Sequence, residues 1–362
     1  MKLGLGLYRH MLTPENFRFA RQAGATHIVA HYTDYFATGP RIPQSESEGL
    51  GWGITQNQDK LWTVEELTDL RGSVEAEGLE LAALENFDPS HWHDVLLDGP
   101  LRDRQIEIVK TLVGNIGAAG IPVMGYNFSI AGVWGHVVGP WARGGAESVG
   151  FLGPDGPKET PIPNGQIWNM TYDPDAPAGT IPPISSEQLW DRFERFLQEI
   201  IPVAEEAGVR MALHPDDPPM PTLRGYARLV HKPEHYQRVL DLYPSRSNGL
   251  EFCQGTIAEM QGEIDVYEAV DRYSKQGMIG YVHFRNVKGK VPSYHEVFVD
   301  EGDVDMIECL RIYHRNGYDG VIIPDHTPQM ECAASWHAGM AYALGWMRAA
   351  ITLIQREETV AA

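Results

Sequence analysis

The feature that most constrains the fold is a repeated alternation of short apolar runs with longer amphipathic segments. The first run, LGLGL at residues 3–7, precedes a helix that Thr13 would cap and Pro14 would begin. The other runs lie at 26–32, 79–87, 121–128, 209–214, 248–253, 278–284 and 320–324. Helical periodicity follows these runs along the chain. Eight strand–helix pairs in one chain predict a parallel (β/α)8 barrel, the TIM-barrel fold.

An open doubly wound sheet is the alternative architecture. The glycine-rich phosphate-binding fingerprint of that fold is incomplete here, because LGLGLYRH lacks the third glycine. We therefore expect a single barrel domain over residues 1–362. Residues 129–184 interrupt the alternation after the fourth strand, with many Gly and Pro residues and little periodicity. Insertions of this length are usually lids or binding loops, so this one is predicted to be a lid or an interface arm.

Charge and composition exclude several functional classes. The formal net charge of −20 argues against binding to nucleic acid or to anionic membranes, which both require positive surface. No apolar run approaches the roughly twenty residues of a membrane span, and the N-terminal segment is too soon polar for a signal peptide. Three cysteines, an odd number in a chain of this length, argue against a disulfide framework. These features predict a cytoplasmic protein.

Four residues of metal-ligand type fall at or next to the ends of the last four predicted strands. They are His214, Cys253, His283 and Asp325. The carboxyl ends of barrel strands meet at one rim, where barrel enzymes carry their catalytic groups. Singly, each residue has a plain structural explanation, such as a hydrogen-bonded histidine, a buried thiol or a capping carboxylate. Their coincidence on successive strands predicts a metal site.

The predicted donor set selects the class of metal. Two imidazoles, one thiolate and one carboxylate are too soft a set for Mg²⁺ or Ca²⁺. They suit Mn²⁺, Fe²⁺, Co²⁺ or Zn²⁺, and ligand type alone does not choose among these. A catalytic ion also needs an open coordination position, which a chelating substrate would fill.

Polar residues that follow the ligands are candidates for supporting roles. Asp216 and Asp217 would orient the His214 imidazole from beyond the metal, or form only a polar turn. Arg285 would clamp a substrate carboxylate and assist catalysis, or pair with an acid such as Glu251. Asn286 follows it at the same rim.

The ends of the third and fourth strands supply further candidates for substrate binding. Glu85, Asn86, Tyr126 and Asn127 would hydrogen-bond the hydroxyls of a polyol, or only stabilise loops. The insertion contributes three tryptophans that would stack on a substrate or pack within the insertion, and packing is favoured. These are Trp134, Trp141 and Trp168.

Several segments resemble the mannonate dehydratases of hexuronate breakdown. They are ALENFDPSHWHD, GIPVMGYNFS, IIPVAEEAGVRMALHPDDPP, NGLEFCQGT, YVHFRNVKG, EGDVDM and PDHTPQM. The resemblance implies a xylose-isomerase-like barrel that uses Mn²⁺ or Fe²⁺ to convert D-mannonate to 2-keto-3-deoxy-D-gluconate. It implies the same four metal ligands and an acid/base role for His326. The family pattern has arginine where this chain has Ile323, and glycine where it has Thr327.

Two other functions are compatible with the sequence. An isomerase or epimerase on the same barrel would work through an enediol and would need Glu85, Glu251 and Asp325 to converge on the ion. A non-enzymatic protein that binds sugar acids would have a closed four-ligand site. The expected partner in each case is a small-molecule sugar acid. The sequence leaves the oligomeric state undetermined, a homo-oligomer included.

Overall fold

The structure is a computed structural model and describes residues 1–39, 52–55 and 57–361. Residues 40–51, 56 and 362, which belong to the predicted domain, lie outside the described residues. The strands, in chain order, are β1 (Lys2–Leu7), β2 (His27–His31), β3 (Glu80–Glu85), β4 (Val123–Tyr126), β5 (His136–Ala142), β6 (Ala146–Phe151), β7 (Gln166–Ile167), β8 (Met170–Thr171), β9 (Arg210–Leu213), β10 (Thr222–Leu223), β11 (Tyr226–Ala227), β12 (Asn248–Cys253), β13 (Ile279–His283), β14 (Asn286–Lys290), β15 (Ser293–Val297) and β16 (Val321–Ile323). The helices, in chain order, are α1 (Pro14–Ala23), α2 (Val64–Ala76), α3 (His93–Leu97), α4 (Arg102–Ala118), α5 (Ser186–Ala207), α6 (Pro233–Leu242), α7 (Gln254–Glu259), α8 (Val266–Lys275), α9 (Met306–Arg315) and α10 (Ser335–Ala361).

Parallel pairing closes the predicted barrel, in the order β1-β16-β13-β12-β9-β4-β3-β2. The apolar runs become strands that are buried on both faces, as every residue of β12 is, because helices cover a parallel barrel from outside. The register sets Cys253 beside His283 and His283 beside Ile323. The strand ends that the sequence predicted to carry the site therefore share one rim.

Side-chain caps fix where the long helices begin. The Ser185 and Gln188 side chains form the predicted capping box at the start of α5, and Thr63 and Glu66 form another at α2. An apolar face of α5 is fully buried, Phe196 included. The outer layer is thus fixed at its helix ends and by its apolar faces. Among the helices of the described residues, none combines the length and the apolar character needed to cross a membrane.

The insertion at residues 129–184 contains regular strands that the sequence pattern did not indicate. Strands β5 and β6 form an antiparallel hairpin, and β14 and β15 form a second hairpin after β13. The hairpins join through the pairs Tyr294–Phe151 and His295–Gly150. The resulting four-stranded sheet, β14-β15-β6-β5, is called the covering sheet below.

Candidate active site

Three of the four predicted metal ligands converge at the barrel rim. The candidate ligand atoms of His214, Cys253 and His283 all lie within 4.8 Å of one another. Cys253 and His283 are the last residues of β12 and β13, and His214 directly follows β9. The Nδ1 atom of His214 lies 2.6 Å from the Pro215 carbonyl oxygen, to which it donates. That hydrogen bond leaves Nε2 of His214 available as a ligand.

Asp325, the fourth predicted ligand, directs its carboxylate toward His283. Its Oδ2 atom lies 3.3 Å from Nδ1 of His283 and accepts a hydrogen bond from Nε of Arg285 at 3.1 Å. Asp325 has a left-handed backbone φ of 61°, which costs a residue other than glycine about 1–3 kcal/mol. The chain therefore bears backbone strain at this position.

The surroundings of Cys253 favour its thiolate form. Burial would raise the pKa of the thiol, but Arg285 and the hydrogen bond with His214 lower the pKa to about 5. The hydroxyl of Thr256 donates a hydrogen bond to Sγ at 3.1 Å. Because the thiolate is the form that binds a metal, the cysteine is prepared as a ligand.

The chemistry of these residues fits a divalent transition metal. Nδ1 of His283 is buried and lacks a hydrogen-bond partner among the described residues, although it faces the carboxylate of Asp325. A buried nitrogen without a partner is unfavourable unless it binds something. His214, Cys253, His283 and Asp325 would hold the ion, and the mixed set suits Mn²⁺, Fe²⁺, Co²⁺ or Zn²⁺.

Arg285 is buried next to the predicted ligands and does not line the cavity. Its guanidinium donates to Asp217, Glu259 and Asp325, and Arg285 is only 3% exposed. It is not among the described residues that line the cavity at the rim. The predicted substrate clamp is thus corrected: Arg285 pairs with acids, as the alternative required, although Glu251 is not one of them. It neutralises the carboxylates around the site.

His326 lies at the cavity with one ring nitrogen already engaged. Its Nδ1 atom lies 2.9 Å from Oε1 of Glu296 on β15, and 37% of the side chain is exposed. Burial would lower the pKa of His326, but the carboxylates of Asp325 and Glu296 raise it to about 10. These carboxylates favour the protonated imidazole, and Nε2 is the ring nitrogen that is not bonded to Glu296.

The cavity at the rim has two adjoining lobes, of about 230 Å³ and 220 Å³. One lobe, called the metal lobe below, is lined by His214, His283 and Asp325 of the predicted ligand set. The other runs between the covering sheet and α10, past Val138, Thr327 and Trp336. Ile323 also lines this second lobe. The lobes share residues from the barrel and from the covering sheet: Tyr8, His31, Val149, Asp325 and His326. The Asp325–His326 pair thus lies where the lobes meet.

Three of the predicted substrate-binding residues line the metal lobe, namely Glu85, Asn86 and Asn127. Asn127 donates from Nδ2 to Oδ1 of Asn86 at 2.9 Å, and Asn86 donates to the Tyr35 hydroxyl at 3.0 Å. Asn86 has a left-handed φ of 64°, a conformation that asparagine tolerates better than most residues. The two carboxamides present polar atoms to the cavity from fixed positions.

Tyr126 and Asn286 do not face the cavity, which corrects their predicted role in substrate binding. Tyr126 is fully buried, and its ring packs 5.6 Å from that of Phe196 on α5. Side chains alternate along a strand, so Tyr126 points outward and Asn127 lines the cavity. Asn286 is 1% exposed and donates to the carbonyl oxygens of Val299 and Val304. It holds the loop after the covering sheet.

Replacing Tyr126 by phenylalanine is expected to leave the KM for substrate unchanged. The buried hydroxyl has no hydrogen-bond partner within the described part of the chain, so its removal should raise the free energy of unfolding by roughly 1 kcal/mol. Steady-state kinetics and urea unfolding check the two expectations. A raised KM would restore the residue to the binding site.

The two aspartates after His214 have different surroundings, and neither contacts the imidazole as predicted. Asp216 pairs with Arg228 at 3.1 Å and accepts from the backbone N–H groups of Leu229 and Val230. It fixes the loop and lies away from the ligands. The Pro215 carbonyl makes the contact with His214 that was predicted for a carboxylate.

Asp217 lines the metal lobe and connects three parts of the site. It accepts from Arg285 at 2.5 Å and from the Tyr294 hydroxyl at 2.6 Å, and it lies 3.3 Å from Nε2 of His136. Burial would raise the pKa of Asp217, but Arg285 and His136 hold it well below the usual range. One carboxylate thus ties the metal loop to both hairpins of the covering sheet.

Sequence reasoning missed much of the cavity wall. Aromatic rings surround the metal lobe: Tyr8, Tyr35, Phe36, Trp52 and Trp168. Trp134 is buried beneath the guanidinium of Arg224, and Trp141 packs against His295 of the covering sheet, whereas Trp168 reaches the cavity. Tyr8 directly follows β1 and His31 is the last residue of β2, so inspection of these two strand ends would have found both. No local signal indicates Glu296, because a hairpin brings it to His326.

Comparison with known proteins places the chain in a family. The family model described as D-mannonate dehydratase (UxuA) matches residues 20–140 and 180–351. A mannonate dehydratase of Streptococcus pneumoniae is 34% identical over 282 residues, 73% of this chain and 74% of the relative. The crystal structure of mannonate dehydratase from Streptococcus suis serotype 2 superposes with a TM-score of 0.78 at 27% identity, covering 99% of this chain and 95% of the other.

A more distant structure supports the fold alone. The xylose isomerase domain protein from Planctomyces limnophilus has a TM-score of 0.58 at 13% identity and covers 98% of this chain and 99% of its own. The two chains therefore share the (β/α)8 barrel fold. Together with the match over most of the sequence, the comparisons show that the chain belongs to the mannonate dehydratase family.

Proposed function

We propose that this protein is a metal-dependent hydro-lyase that converts D-mannonate to 2-keto-3-deoxy-D-gluconate. The observation that carries the proposal is the convergence of candidate ligand atoms from His214, Cys253 and His283. The cavity beside them is lined by His214, His283 and His326, in a chain of the mannonate dehydratase family. The donor set accommodates Mn²⁺ or Fe²⁺, the ions that we propose, and is also compatible with Zn²⁺ or Co²⁺.

The reaction removes a proton from C2 of the sugar acid and the hydroxyl group from C3. A divalent ion at this site would supply positive charge where negative charge develops next to the substrate carboxylate. Arg285 does not supply this charge, because each nitrogen of its guanidinium already donates to a carboxylate of the protein. Recognition of the substrate carboxylate is therefore assigned to the metal centre.

His326 is the proposed proton carrier. Glu296 accepts from Nδ1 and fixes the ring, so proton transfer falls to Nε2, which lies 3.6 Å from Oδ1 of Asp325. An imidazole held in one orientation at the edge of the cavity can transfer a proton to or from a bound sugar acid. Asn86 and Asn127 would orient the substrate by hydrogen bonds to its hydroxyl groups.

We propose that residues 129–184 serve as a lid. One of the two lobes that His326 lines is bordered by four residues of the insertion, Val138, Glu147, Ser148 and Val149. Their position would exclude water from the reacting groups once substrate is bound. The interface-arm alternative, and with it a homo-oligomer, stays a prediction.

The direct test is anaerobic incubation of the protein with D-mannonate and Mn²⁺, followed by detection of 2-keto-3-deoxy-D-gluconate. We expect product with the metal-loaded protein and none after removal of the metal by a chelator. The epimers of mannonate at C2 and C3 serve as matched controls for stereochemistry. Protein that has bound the ion but forms no product would refute the assignment of substrate and reaction.

The same incubation in deuterated water separates the isomerase or epimerase alternative. Exchange of the C2 hydrogen with solvent, without loss of the C3 hydroxyl group, is the result that an enediol reaction predicts. Dehydration predicts deuterium in the product only together with elimination. If neither exchange nor elimination occurs, the result favours a protein that only binds the acid.

A further inference from the structure

The two ring nitrogens of His283 have opposite surroundings. Nε2 lies 3.3 Å from Oε2 of Glu85 and 3.1 Å from Oε1 of Glu251, both deep in the barrel. Nδ1 lies 3.3 Å from Oδ2 of Asp325 and has no hydrogen-bond partner among the described residues. The ring thus connects a carboxylate pair below it with the predicted metal position above it.

We propose that Glu85 is a positioning residue for the metal centre, and that it holds His283 with Nδ1, instead of Nε2, toward the ion. A neutral imidazole carries one N–H group, and the hydrogen bond that it donates decides which nitrogen is left as a ligand. Donation from Nε2 to Glu85 leaves the lone pair of Nδ1 beside Asp325. This inference rests on the metal centre of the proposed function, not on the dehydration itself.

Glu85 is itself fixed by its neighbours. It is 4% exposed, and Oε2 accepts from the Tyr281 hydroxyl at 3.0 Å. Oε1 lies 3.5 Å from Nδ1 of His31. With Oε2 held between the Tyr281 hydroxyl and Nε2 of His283, Glu85 is placed to orient His283, whereas its strand-end position first indicated a contact with a substrate hydroxyl.

The second imidazole of the site has the reverse arrangement. His214 donates from Nδ1 to the Pro215 carbonyl, so Nε2 is its ligand atom. His283, which ends its strand, receives its partner from the barrel interior instead of from its own loop. The barrel core thereby takes part in fixing the metal geometry, through a residue on β3, across the barrel from β13.

One competing arrangement uses the same residues. Candidate ligand atoms of Glu85, Glu251 and His283 also lie within 4.8 Å of one another, and both carboxylate oxygens of Glu251 lack a hydrogen-bond partner within the described residues. A cation held there would ligate Nε2 directly. The hydrogen-bonding arrangement is favoured because Nε2 and Glu85 meet hydrogen-bond geometry, whereas a cation at Nε2 would leave Nδ1 buried without a partner.

The test compares the Mn²⁺ affinity of three variants, Glu85→Leu, Glu85→Gln and Asp88→Asn, with that of the wild type. Leucine removes the acceptor and is expected to weaken Mn²⁺ binding about 10- to 100-fold, the usual loss when a partner of a ligand imidazole is removed. Glutamine keeps an acceptor oxygen and is expected to restore much of the affinity. Asp88, a fully buried carboxylate in the loop after the same strand, is the matched control and should leave the affinity unchanged.

Free Mn²⁺ is measured by its electron paramagnetic resonance signal, and bound metal by elemental analysis. A Glu85→Leu protein that binds Mn²⁺ as tightly as the wild type but has a raised KM would overturn the proposal in favour of a substrate contact. Two Mn²⁺ ions per wild-type chain would overturn it in favour of a second cation site. Thermal unfolding of the metal-free variants separates lost affinity from lost fold.

A crystal structure of the wild type with Mn²⁺ gives a readout that does not depend on any variant. Coordination of the ion through Nδ1 of His283 is expected, and coordination through Nε2 contradicts the proposal. Failure of the proposed dehydration is distinguishable from failure of this proposal. A protein that shows the expected Mn²⁺ affinities and coordination through Nδ1, but forms no product from D-mannonate, would leave the assignment of Glu85 intact.

Discussion

Replacing His326 by glutamine is expected to lower kcat for the dehydration by about 10²- to 10⁴-fold, the range that positioned acid–base groups contribute. Glutamine is similar in size and retains hydrogen-bonding atoms near Glu296, but it cannot exchange a proton at neutral pH. The metal ligands are unchanged, so Mn²⁺ should bind with wild-type affinity. The measurement is kcat with Mn²⁺ at saturation, together with the metal content.

His337→Gln is the matched control, because His337 bonds to Asn16 and is not among the described residues that line the cavity. Its kcat should equal that of the wild type. A His326→Gln enzyme with undiminished kcat would remove the residue from the mechanism. If the variant has also lost its metal, the deficit cannot be assigned to proton transfer.

Replacing Arg285 by methionine is expected to reduce the free energy of unfolding by about 3–5 kcal/mol, because it removes one partner of buried ion pairs. Asp217, Glu259 and Asp325 would lose their shared cation, and Glu296 lies only 3.5 Å from it. Methionine fills similar volume, so the loss reports charge instead of a cavity. Urea unfolding of the metal-free protein measures it.

Two further variants test whether the loss of stability in Arg285→Met comes from its buried ion pairs. Arg195, which pairs with Asp98 at the surface with about a third of its side chain exposed, should lose less than about 1 kcal/mol on the same change. Adding Asp217→Asn to Arg285→Met should recover part of the stability, since Asp217, whose pKa Arg285 and His136 hold low, would otherwise be left as a buried charge without its main partner. A loss below 1 kcal/mol for Arg285→Met alone would show that the carboxylates do not depend on the guanidinium.

The sequence was sufficient to predict the barrel and the residues at its rim. Apolar runs with helical segments between them have one favourable closed arrangement, and parallel strands bring their carboxyl ends together. His214, Cys253 and His283 therefore come together, with Asp325 beside His283. The capping box at Ser185 was equally predictable, because it depends only on residues three apart.

The direction in which side chains point at the strand ends was less predictable. A shift of one residue moves a side chain to the other face of a strand, and the ends of strands are uncertain by about one or two residues. Tyr126 and Arg285 were placed in the cavity for this reason, yet one faces the helices and the other lies behind the ligands. Glu85 was placed correctly at the rim, but its role depends on neighbours from other strands.

Long-range pairing was outside the reach of the sequence pattern. The strands of the covering sheet are short, and Gly and Pro residues interrupt their periodicity. Glu296 meets His326 only because β15 pairs with β14 and with β6. No local feature of EVFVD or of the insertion encodes that contact.

The two residue pairs that join the hairpins of the covering sheet affect when the catalytic cavity is completed during folding. Each hairpin, β5–β6 and β14–β15, is built from contacts close in the chain, whereas two residue pairs join them across a long separation. Contacts between distant residues form after local ones, because the loop between them must first be closed. We expect barrel closure and completion of the catalytic cavity to be a single late event, so that no earlier folding species presents His326 together with its Glu296 partner.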